Sequence, residues 1–335
     1  MSLSLTNLQN RFRLFFYFSH KLGECKTKRV KLKLEKMTKL VYSPYYSKVN
    51  LGSHVFPMEK YKLIHDRLIS EKMAFEKDFI EPKPASDEDI LAVHSQDYLF
   101  KLKKGTLSPL EILRLELPYS KELVEFFLIT CGGTILASQL SLKNGIGVHI
   151  GGGFHHAFPD YGEGFCVLND IAVAVRKLQK ENFIKKALII DCDLHQGNGT
   201  AYIFQNDKNI FTFSIHEEMI YPIPKQKSDL DIGLETGVGD EEYLTHLRKH
   251  IPKIIQEFRP DFILYIAGAD PYKEDQLGHL ALTTEGFKKR DEFIIGVAQK
   301  YKIPLTIVLA GGYASKLQDT IQIHTNTIKV ALKLL

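Results

Sequence analysis

One stretch decides the fold: residues 187–199 read A-L-I-I-D-C-D-L-H-Q-G-N-G. Four apolar residues open it, which is typical of a strand covered on both faces of a parallel sheet. The side chains of Asp191, Asp193 and His195 alternate after that run, so on an extended chain they point to one side. Two carboxylates and an imidazole are costly to bury unless a partner neutralises them. The stretch therefore predicts a buried strand with a cation site at its carboxyl end.

Five further apolar runs resemble that strand, and amphipathic stretches lie between them. The predicted strands are 40–42, 146–150, 187–191, 210–215, 262–267 and 305–309. The predicted helices are 57–71, 86–93, 121–142, 166–179, 241–258, 284–300 and 316–334, and Ser86 with Asp89 three residues later is a capping signal. Alternating strands and helices predict an α/β fold, a central parallel β-sheet flanked by helices on both faces. Residues 221–239 lack periodicity and are predicted to form a long loop.

Charge is distributed unevenly along the 335 residues. Residues 1–36 contain nine Lys or Arg and two Asp or Glu, whereas the whole chain has a formal charge of +4, so residues 37–335 carry −3. We therefore expect a basic N-terminal extension, 1–36, followed by one domain, 37–335; a translation start at Met37 is the alternative. The domain lacks the basic excess of a nucleic-acid-binding protein, so no direct nucleic-acid binding is expected.

The spacing of the cysteines and the length of the apolar segments indicate the compartment in which the protein works. The four cysteines, Cys25, Cys131, Cys166 and Cys192, lie far apart, which disfavours a disulfide framework and favours a reducing cytoplasm. The apolar run at 14–18 is too short for the core of a signal peptide. No stretch approaches the ~20 apolar residues of a membrane helix, so the sequence predicts a cytoplasmic protein without a membrane span.

Three other predicted strands also end in unusual clusters. Gly-Gly-Gly-Phe-His-His stands at 151–156, Gly-Ala-Asp at 268–270 and Gly-Gly-Tyr at 311–313. Ligands bind at the carboxyl ends of strands in open parallel sheets. Asp270 would add a second carboxylate to Asp193 and His195, and three protein ligands with an open position form the pattern of a catalytic zinc site. Fe²⁺ is the alternative metal, and a solvated loop with capping aspartates is the alternative without one.

The histidine pair and the tyrosine are candidate reactive groups beside that metal. A neutral imidazole at His155 or His156 could take a proton from water and give it to a leaving amine. Tyr313 could donate its hydroxyl to a developing oxyanion. A structural hydrogen bond is the alternative role for the histidines, and an ordinary turn is the alternative for Gly-Gly-Tyr.

These motifs resemble a known family. The run 151–170, G-G-G-F-H-H-A-F-P-D-Y-G-E-G-F-C-V-L-N-D, is similar to the active-site loop of zinc-dependent histone deacetylases. So are 191–199, the A-G-A-D at 267–270 and the G-G-Y at 311–313. The resemblance covers nearly the whole chain from about Lys39. Three shorter segments, V-H-S-Q-D-Y-L at 93–99, C-G-G-T-I-L-A at 131–137 and I-Y-P at 220–222, resemble class IV of that family.

The resemblance implies the arginase/deacetylase fold, as a single domain, and a role for each clustered residue. The implied ligands of Zn²⁺ are Asp193, His195 and Asp270. His156 becomes the general base and acid, with His155, oriented by Asp191, as its charge-stabilising partner. Asn198 stands where some members of the family place an Asp beside the second histidine, and an amide leaves His156 less basic than a carboxylate would.

A second cation and a substrate tunnel are implied as well. The family holds a monovalent cation, usually K⁺, near the zinc, and the matching groups are Asp191, Ser214 and the main chain of Asp193 and His195. The tunnel for the acyl-lysine side chain would have Phe165, which follows Gly164, as one wall and Tyr221 as the other. An ordinary core position is the alternative for both aromatic residues.

The implied activity is zinc-dependent hydrolysis of the amide of an N-acylated lysine in a protein or peptide, by a deacetylase or a long-chain fatty deacylase. The class IV resemblance implies a preference for long acyl groups over acetyl. One alternative is an acetylpolyamine or other small-molecule amidohydrolase, for which Glu217 and Glu218 would supply an acidic entrance. The other is a non-catalytic acyl-lysine-binding module. Nothing in the sequence sets the oligomeric state.

Overall fold

A computed structural model of the chain describes residues 39–333, so the predicted basic extension, 1–36, lies outside the described residues. Within that range eight strands form one all-parallel sheet in the order β2-β1-β3-β8-β7-β4-β5-β6. The strands are β1 Leu40–Val41, β2 Phe79–Ile80, β3 Ile146–His149, β4 Ala187–Asp191, β5 Ile210–Glu217, β6 Leu230–Leu234, β7 Phe262–Ile266 and β8 Leu305–Val308.

Ten α-helices lie between the strands of the described region or, in the case of the last one, after them. They are α1 Lys60–Ser70, α2 Asp87–Ile90, α3 Gln96–Lys104, α4 Pro109–Leu115, α5 Lys121–Asn144, α6 Asp170–Lys180, α7 Asn198–Phe204, α8 Asp240–Phe258, α9 Thr284–Tyr301 and α10 Leu317–Lys333. Parallel neighbours need such crossovers because the chain must return to the same end of the sheet before each new strand.

Both faces of the sheet are covered, as predicted. Side chains of a strand alternate between faces, and those of β4 belong to two separate apolar clusters. Leu188 and Ile190 lie in the larger cluster, whereas Ile189 packs in a smaller cluster with Ile171 and Leu178 of α6. The central strands are therefore buried on both sides, which explains why their sequences are apolar throughout.

All six predicted strands are present, and two further strands were missed. The prediction of a continuous loop over 221–239 is wrong, because β6 lies within it. β6 is an edge strand that pairs only with β5, and four of its five residues are partly or fully exposed. An edge strand needs no continuous apolar run, so its sequence gives little signal. The other missed strand, β2, has two residues and also lies at an edge.

The seven predicted helices are present, but α6 begins later than expected. Residue 166 was predicted to open it, whereas Asn169 caps it by accepting a hydrogen bond from the backbone N–H of Ala172 at 2.9 Å. The capping signal of α2 is confirmed: Asp89 donates its N–H to Ser86 Oγ and accepts the N–H of Ser86, each at 3.2 Å. The short helices α3, α4 and α7 were not predicted.

One described helix, α5, is long and apolar enough to span a membrane by length and composition. The expectation that no segment comes near that composition is therefore wrong. In its most apolar window 72% of the residues are buried, and α5 packs on α6 and β3. The same helix carries Cys131, which is free and buried, as are Cys166 and Cys192.

The extension is expected to be dispensable for the fold. Every strand that the structure describes lies after residue 39, so a chain beginning at Met37 retains the described sheet and both apolar clusters. We expect its midpoint of thermal unfolding to lie within about 2 °C of that of the full chain, since a 1 kcal/mol loss shifts the midpoint of a large domain by roughly 2–4 °C. Calorimetry of both chains measures this. Insoluble protein, or a larger fall in the midpoint, would assign residues 1–36 to the domain.

Candidate metal and catalytic site

Strand order brings the four clusters together. The strands that carry them, β3, β8, β7 and β4, are consecutive neighbours in the sheet. Backbone hydrogen bonds continue the pairing past the strand ends: Leu309 donates to Gly151 at 3.0 Å and Ala269 to Ala310 at 3.1 Å. The clusters therefore meet along one edge, at the carboxyl ends where ligands bind in such sheets.

Three of the clustered side chains form a compact ligand set. The candidate ligand atoms of Asp193, His195 and Asp270 lie within 4.8 Å of one another, and all three residues are buried. His195 Nδ1 lies 3.3 Å from Asp193 Oδ1 and 3.4 Å from Asp270 Oδ2. Two carboxylates and one imidazole suit Zn²⁺ and also Fe²⁺.

Charge and hydrogen bonding at this set fit a cation. Asp270 Oδ1 accepts the backbone N–H of Leu194 at 3.0 Å, but the buried Oδ2 has no hydrogen-bond partner. Burial and the charge of Asp193 raise the pKa of Asp270. Although burial opposes it, Asp193 and Asp270 raise the pKa of His195 to about 10. The site thus attracts positive charge, and an unpartnered buried oxygen is free to bind it.

A glycine gives the ligand set its compactness. Gly311 follows β8 with φ +54°, and a Cβ atom at this position would lie 2.4 Å from the carboxyl carbon of Asp270. Any side chain there would displace the carboxylate. This close approach is one reason for glycine in the Gly-Gly-Tyr motif.

His155 is paired with a carboxylate. Its Nδ1 lies 2.7 Å from Asp191 Oδ2, and both side chains are buried. Burial lowers the pKa of His155, but Asp191 and Asp193 outweigh that effect and raise it to about 9. The structure thus places Asp191 where the resemblance implied, beside the first histidine.

His156 is paired with a neutral amide instead. Its Nδ1 lies 2.7 Å from Asn198 Oδ1. Burial, together with the charges of His155 and His195, lowers the pKa of His156 well below its usual value. The two adjacent imidazoles, whose ring centroids are 4.1 Å apart, therefore favour opposite protonation states.

A buried carboxylate fixes the loop that carries both histidines. Asp170 accepts the backbone N–H of Phe154 at 2.8 Å, that of Gly153 at 3.1 Å and the hydroxyl of Thr134 at 2.6 Å. Asp170 opens α6 and is fully buried. It ends the same sequence run, 151–170, that begins with the three glycines, so this long motif is held together by its own two ends.

A cavity of about 190 Å³ opens beside the metal set. The predicted residues that line it are His155, His156, Gly164, Phe165, Asp193, His195, Tyr221 and Tyr313. Tyr313 is 8% exposed, and burial together with Asp270 and Asp193 raises the pKa of its hydroxyl well above the usual value. That hydroxyl keeps its proton at neutral pH and remains a hydrogen-bond donor.

Two charged groups of this cavity were missed by sequence reasoning. Lys60 is fully buried, donates Nζ to the Gly311 carbonyl oxygen and has a pKa that burial lowers to about 8. Glu116 lines the cavity from the end of α4, and burial and Glu163 raise its pKa. Both lie far in sequence from the motifs, and a lone charged residue gives no signal by itself.

The proposed acidic entrance of Glu217 and Glu218 is wrong. Neither residue lines the cavity. Glu217 is buried and accepts the Thr236 hydroxyl at 2.6 Å and the backbone N–H of His279 at 2.8 Å. Its carboxylate is bonded within the protein and does not face the substrate.

The groups predicted for a monovalent cation are bonded within the protein. Asp191 and Ser214 are register neighbours on β4 and β5. Asp191 Oδ1 accepts the backbone N–H of Asp193 at 3.0 Å, and Ser214 Oγ lies 2.9 Å from His216 Nδ1. The set is close in space, and K⁺ there stays a prediction.

A buried arginine, Arg290, connects two ligand-bearing loops. It is fully buried, and its Nη1 donates to the carbonyl oxygens of Gly268 at 2.7 Å and Cys192 at 3.4 Å. Its Nε donates to Asp291 Oδ1 at 2.9 Å. Gly268 and Cys192 flank the ligands Asp270 and Asp193, so this guanidinium positions both.

Replacing Arg290 with Met is expected to lower the free energy of unfolding by about 3–5 kcal/mol, because breaking a buried ion pair leaves one charge without compensation. Asp291 would be that charge. Urea unfolding of the wild type, Arg290→Met, Asp291→Asn and Arg290→Met/Asp291→Asn measures the loss. We expect the double variant to be less destabilised than the sum of the two single variants. A loss below about 1 kcal/mol in Arg290→Met would show that the arginine does not hold these loops.

Comparison with known proteins agrees with this geometry. The sequence profile of the histone deacetylase domain matches residues 54–328. The chain is 39% identical to an uncharacterized protein of Picosynechococcus sp. strain PCC 7002, over 85% of this chain and 95% of that protein. It is 32% identical to histone deacetylase 2 of Arabidopsis thaliana, over 82% and 74% of the two chains. The acetoin utilization protein AcuC of Staphylococcus aureus strain MSSA476 is 28% identical, over 77% and 72%.

Comparison with solved structures supports the same fold. The crystal structure of the HDA15 HD domain superposes with a TM-score of 0.74 and 21% sequence identity, covering 88% of each chain. The parallel sheet with its Asp-His-Asp set at the strand ends defines an arginase/deacetylase-type α/β protein. Within that class, the chain belongs to the histone deacetylase domain family. These similarities establish the family and leave the class within it open.

Proposed function

We propose that the protein is a metal-dependent hydrolase of N-acylated lysine or a lysine-like amine. The observation that carries the proposal is the compact ligand set of Asp193, His195 and Asp270, two of which, Asp193 and His195, line the same cavity as His156 and Tyr313. Binding alone does not need a ligand set, a proton acceptor and a hydroxyl donor around one point. This convergence disfavours the non-catalytic module.

The catalytic roles follow from the protonation states. Zn²⁺ on the three ligands would act as a Lewis acid toward the amide carbonyl and the attacking water. His156, whose low pKa leaves it neutral, takes the proton of that water and returns it to the departing amine. His155, beside Asp191, carries positive charge near the reacting atoms. Tyr313 donates its hydroxyl to the developing oxyanion.

Two features support an acyl-lysine substrate. Phe165 and Tyr221 line the cavity as aromatic walls, which suits the aliphatic stem of lysine. Glu116 also lines it, and a carboxylate there could accept the N–H groups of a peptide or bind the second ammonium of a polyamine. The small-molecule alternative therefore rests on Glu116 rather than on the Glu217–Glu218 pair.

The finer assignments rest on the sequence. The segments 93–99, 131–137 and 220–222 support class IV. Zn²⁺ is proposed over Fe²⁺, with K⁺ near Asp191 and Ser214, from the same resemblance. The described cysteines are free and buried, which supports the proposal of a cytoplasmic protein.

A panel of acyl substrates tests both the reaction and its acyl preference. We expect hydrolysis of an acyl-lysine peptide that a chelator abolishes, with kcat/KM higher for myristoyl than for octanoyl or acetyl. The physical reason is that each buried CH₂ contributes up to ~0.8 kcal/mol in an apolar channel. N-acetylated spermidine in the same panel separates the small-molecule alternative.

Each outcome of that panel has a distinct meaning. Turnover of the spermidine substrate alone would favour the polyamine enzyme. A kcat/KM for the acetyl peptide that equals or exceeds that for the myristoyl peptide would show that the chain resembles class IV without sharing the preference for long acyl groups. No turnover of any substrate by metal-loaded protein would contradict the proposed function.

A further inference from the structure

Behind the proposed base, a carboxylate that the motifs do not explain completes a hydrogen-bond chain. His156 Nδ1 lies 2.7 Å from Asn198 Oδ1, and Asn198 Nδ2 donates to Glu163 Oε1 at 2.8 Å. The hydroxyl of Tyr221 donates to the same Glu163 oxygen at 2.9 Å. Asn198 is 2% exposed and His156 is 5% exposed, so water offers these groups little alternative bonding.

The chemistry of Glu163 sets the direction of this chain. A carboxylate only accepts hydrogen bonds, so Asn198 must turn its NH₂ group toward Glu163. The amide oxygen of Asn198 then faces His156, and a carbonyl oxygen also only accepts. Nδ1 of the neutral His156 must therefore carry the hydrogen, which leaves Nε2 with the lone pair that accepts a proton.

Without Glu163 this order is lost. The side-chain amide of Asn198 has nearly the same shape in both orientations. If the NH₂ group turned to His156, Nδ1 would become the acceptor and the hydrogen would move to Nε2. That tautomer cannot take a proton at Nε2, so a fraction of the molecules would lack the base.

A strained turn holds Glu163 in this position. Glu163 and Cys166 exchange backbone hydrogen bonds of 3.0 and 2.9 Å, and the two residues between them, Gly164 and Phe165, have φ of +51° and +66°. Positive φ at both central residues is the mark of a type I′ turn, and it is unfavourable for phenylalanine. Such strain persists where the surroundings enforce it, and it clusters at functional sites.

Tyr221 is the second side chain that holds the Glu163 carboxylate. A Cβ atom on Gly164 would lie 2.5 Å from the Tyr221 hydroxyl oxygen, so only glycine allows this packing. Burial and the charge of Glu163 raise the pKa of Tyr221, and its hydroxyl therefore stays protonated and donates. Glu163 Oε1 thus accepts two hydrogen bonds, one from the Asn198 NH₂ group and one from the Tyr221 hydroxyl.

We propose that Glu163 is a positioning residue that fixes, through Asn198, the orientation and tautomer of His156. It acts on the base without touching the substrate. Glu163 also supplies a negative charge on the Nδ1 side of His156. That charge lies one amide group further from the imidazole than the charge of an aspartate at position 198 would. The kinetic part of this inference rests on the proposed function, whereas the tautomer itself does not.

A double-mutant cycle of Glu163→Gln and Asn198→Asp isolates the kinetic effect. Glu163→Gln keeps the shape but adds a donor, so either amide can flip. We expect kcat on the preferred acyl-lysine peptide to fall by roughly tenfold or more with KM unchanged, the usual cost of losing an outer partner of a site. In the Asn198→Asp background the carboxylate contacts His156 directly, so adding Glu163→Gln should cost less than about twofold.

Glu257→Gln is the matched control. Glu257 lies on α8 with its side chain 68% exposed, and kcat should not change. A fall in kcat from Glu163→Gln that is the same in both backgrounds would overturn the proposal, as would a rise in KM with constant kcat. The second result would place Glu163 in substrate binding.

Nitrogen NMR of ¹⁵N-histidine-labelled, zinc-loaded protein tests the tautomer without any substrate. The His156 signals are assigned by their loss in His156→Gln. We expect the wild type to show the Nδ1–H form, and Glu163→Gln and Glu163→Ala to show a mixture of both tautomers. An unchanged Nδ1–H form in both variants would refute the positioning role. If the wild type hydrolyses no substrate but the two variants still show the mixture of tautomers, the proposed function would be contradicted and this inference would stand.

Discussion

Replacing Asp193 or Asp270 with Ala is expected to remove the metal and to lower the rate of hydrolysis by more than about 10³-fold. A Lewis-acid metal stabilises the transition state by several kcal/mol, and each 1.36 kcal/mol is a factor of ten. Two of three ligands cannot hold the ion against dilution. Elemental analysis after gel filtration measures zinc and iron per chain, which also decides between the two metals. We expect about one zinc in the wild type and less than about 0.1 in either variant.

Both variants are expected to remain folded. In the metal-free protein the two carboxylates repel each other, since Asp193 raises the pKa of Asp270, and removing either relieves that repulsion. Asp97→Ala, at a side chain 73% exposed on α3, is the control and should keep both metal and rate. Full zinc occupancy in both ligand variants would show that these residues do not bind the ion.

Replacing Tyr313 with Phe is expected to lower kcat by roughly 10²–10³, the usual loss for one oxyanion donor. The ring keeps its contacts with Phe56 and Phe165, whose centroids lie 6.1 and 5.9 Å away, so the cavity keeps its shape. Zinc content should not change, because Tyr313 does not belong to the ligand set. Steady-state kinetics and elemental analysis on the same sample measure both quantities.

Tyr301→Phe is the control for the lost hydroxyl. Tyr301 ends α9, and its hydroxyl lies 2.9 Å from Gln256 Nε2. This variant should keep the wild-type rate. Activity of Tyr313→Phe within a factor of about three of the wild type would mean that another group stabilises the oxyanion.

The central strands could be predicted because burial on both faces leaves a signal in sequence. Residues 187–190 and 262–266 are apolar; the first run forms β4 together with Asp191, and the second forms β7. The signal fades at the edges of the sheet, where β6 needs only a partly apolar face. The start of α6 was misplaced for a related reason: Cys166 and Val167 are apolar and buried, yet they belong to the loop before the cap.

The ligand set could be predicted because its residue types are costly at strand ends without a function. Asp193 and His195 lie two and four residues after the end of β4, and Asp270 lies four residues after the end of β7. Lys60, Glu116 and Glu163 could not be found in the same way. Glu163 lies inside the quoted motif, but a single glutamate is ordinary in a loop, and only its contacts with Asn198 and Tyr221 distinguish it.

The sequence by itself determined the parallel α/β fold, the buried strands and the ends at which polar clusters stand, because periodicity and burial are properties of short segments. Tertiary structure alone decided that β3, β8, β7 and β4 are neighbours, which joins groups from residues 151 to 313 into one site. It also decided which carboxylate enters the cavity: Glu116 does and Glu217 does not. The physical reason is that contacts between distant segments depend on strand order and loop paths, which no local pattern encodes.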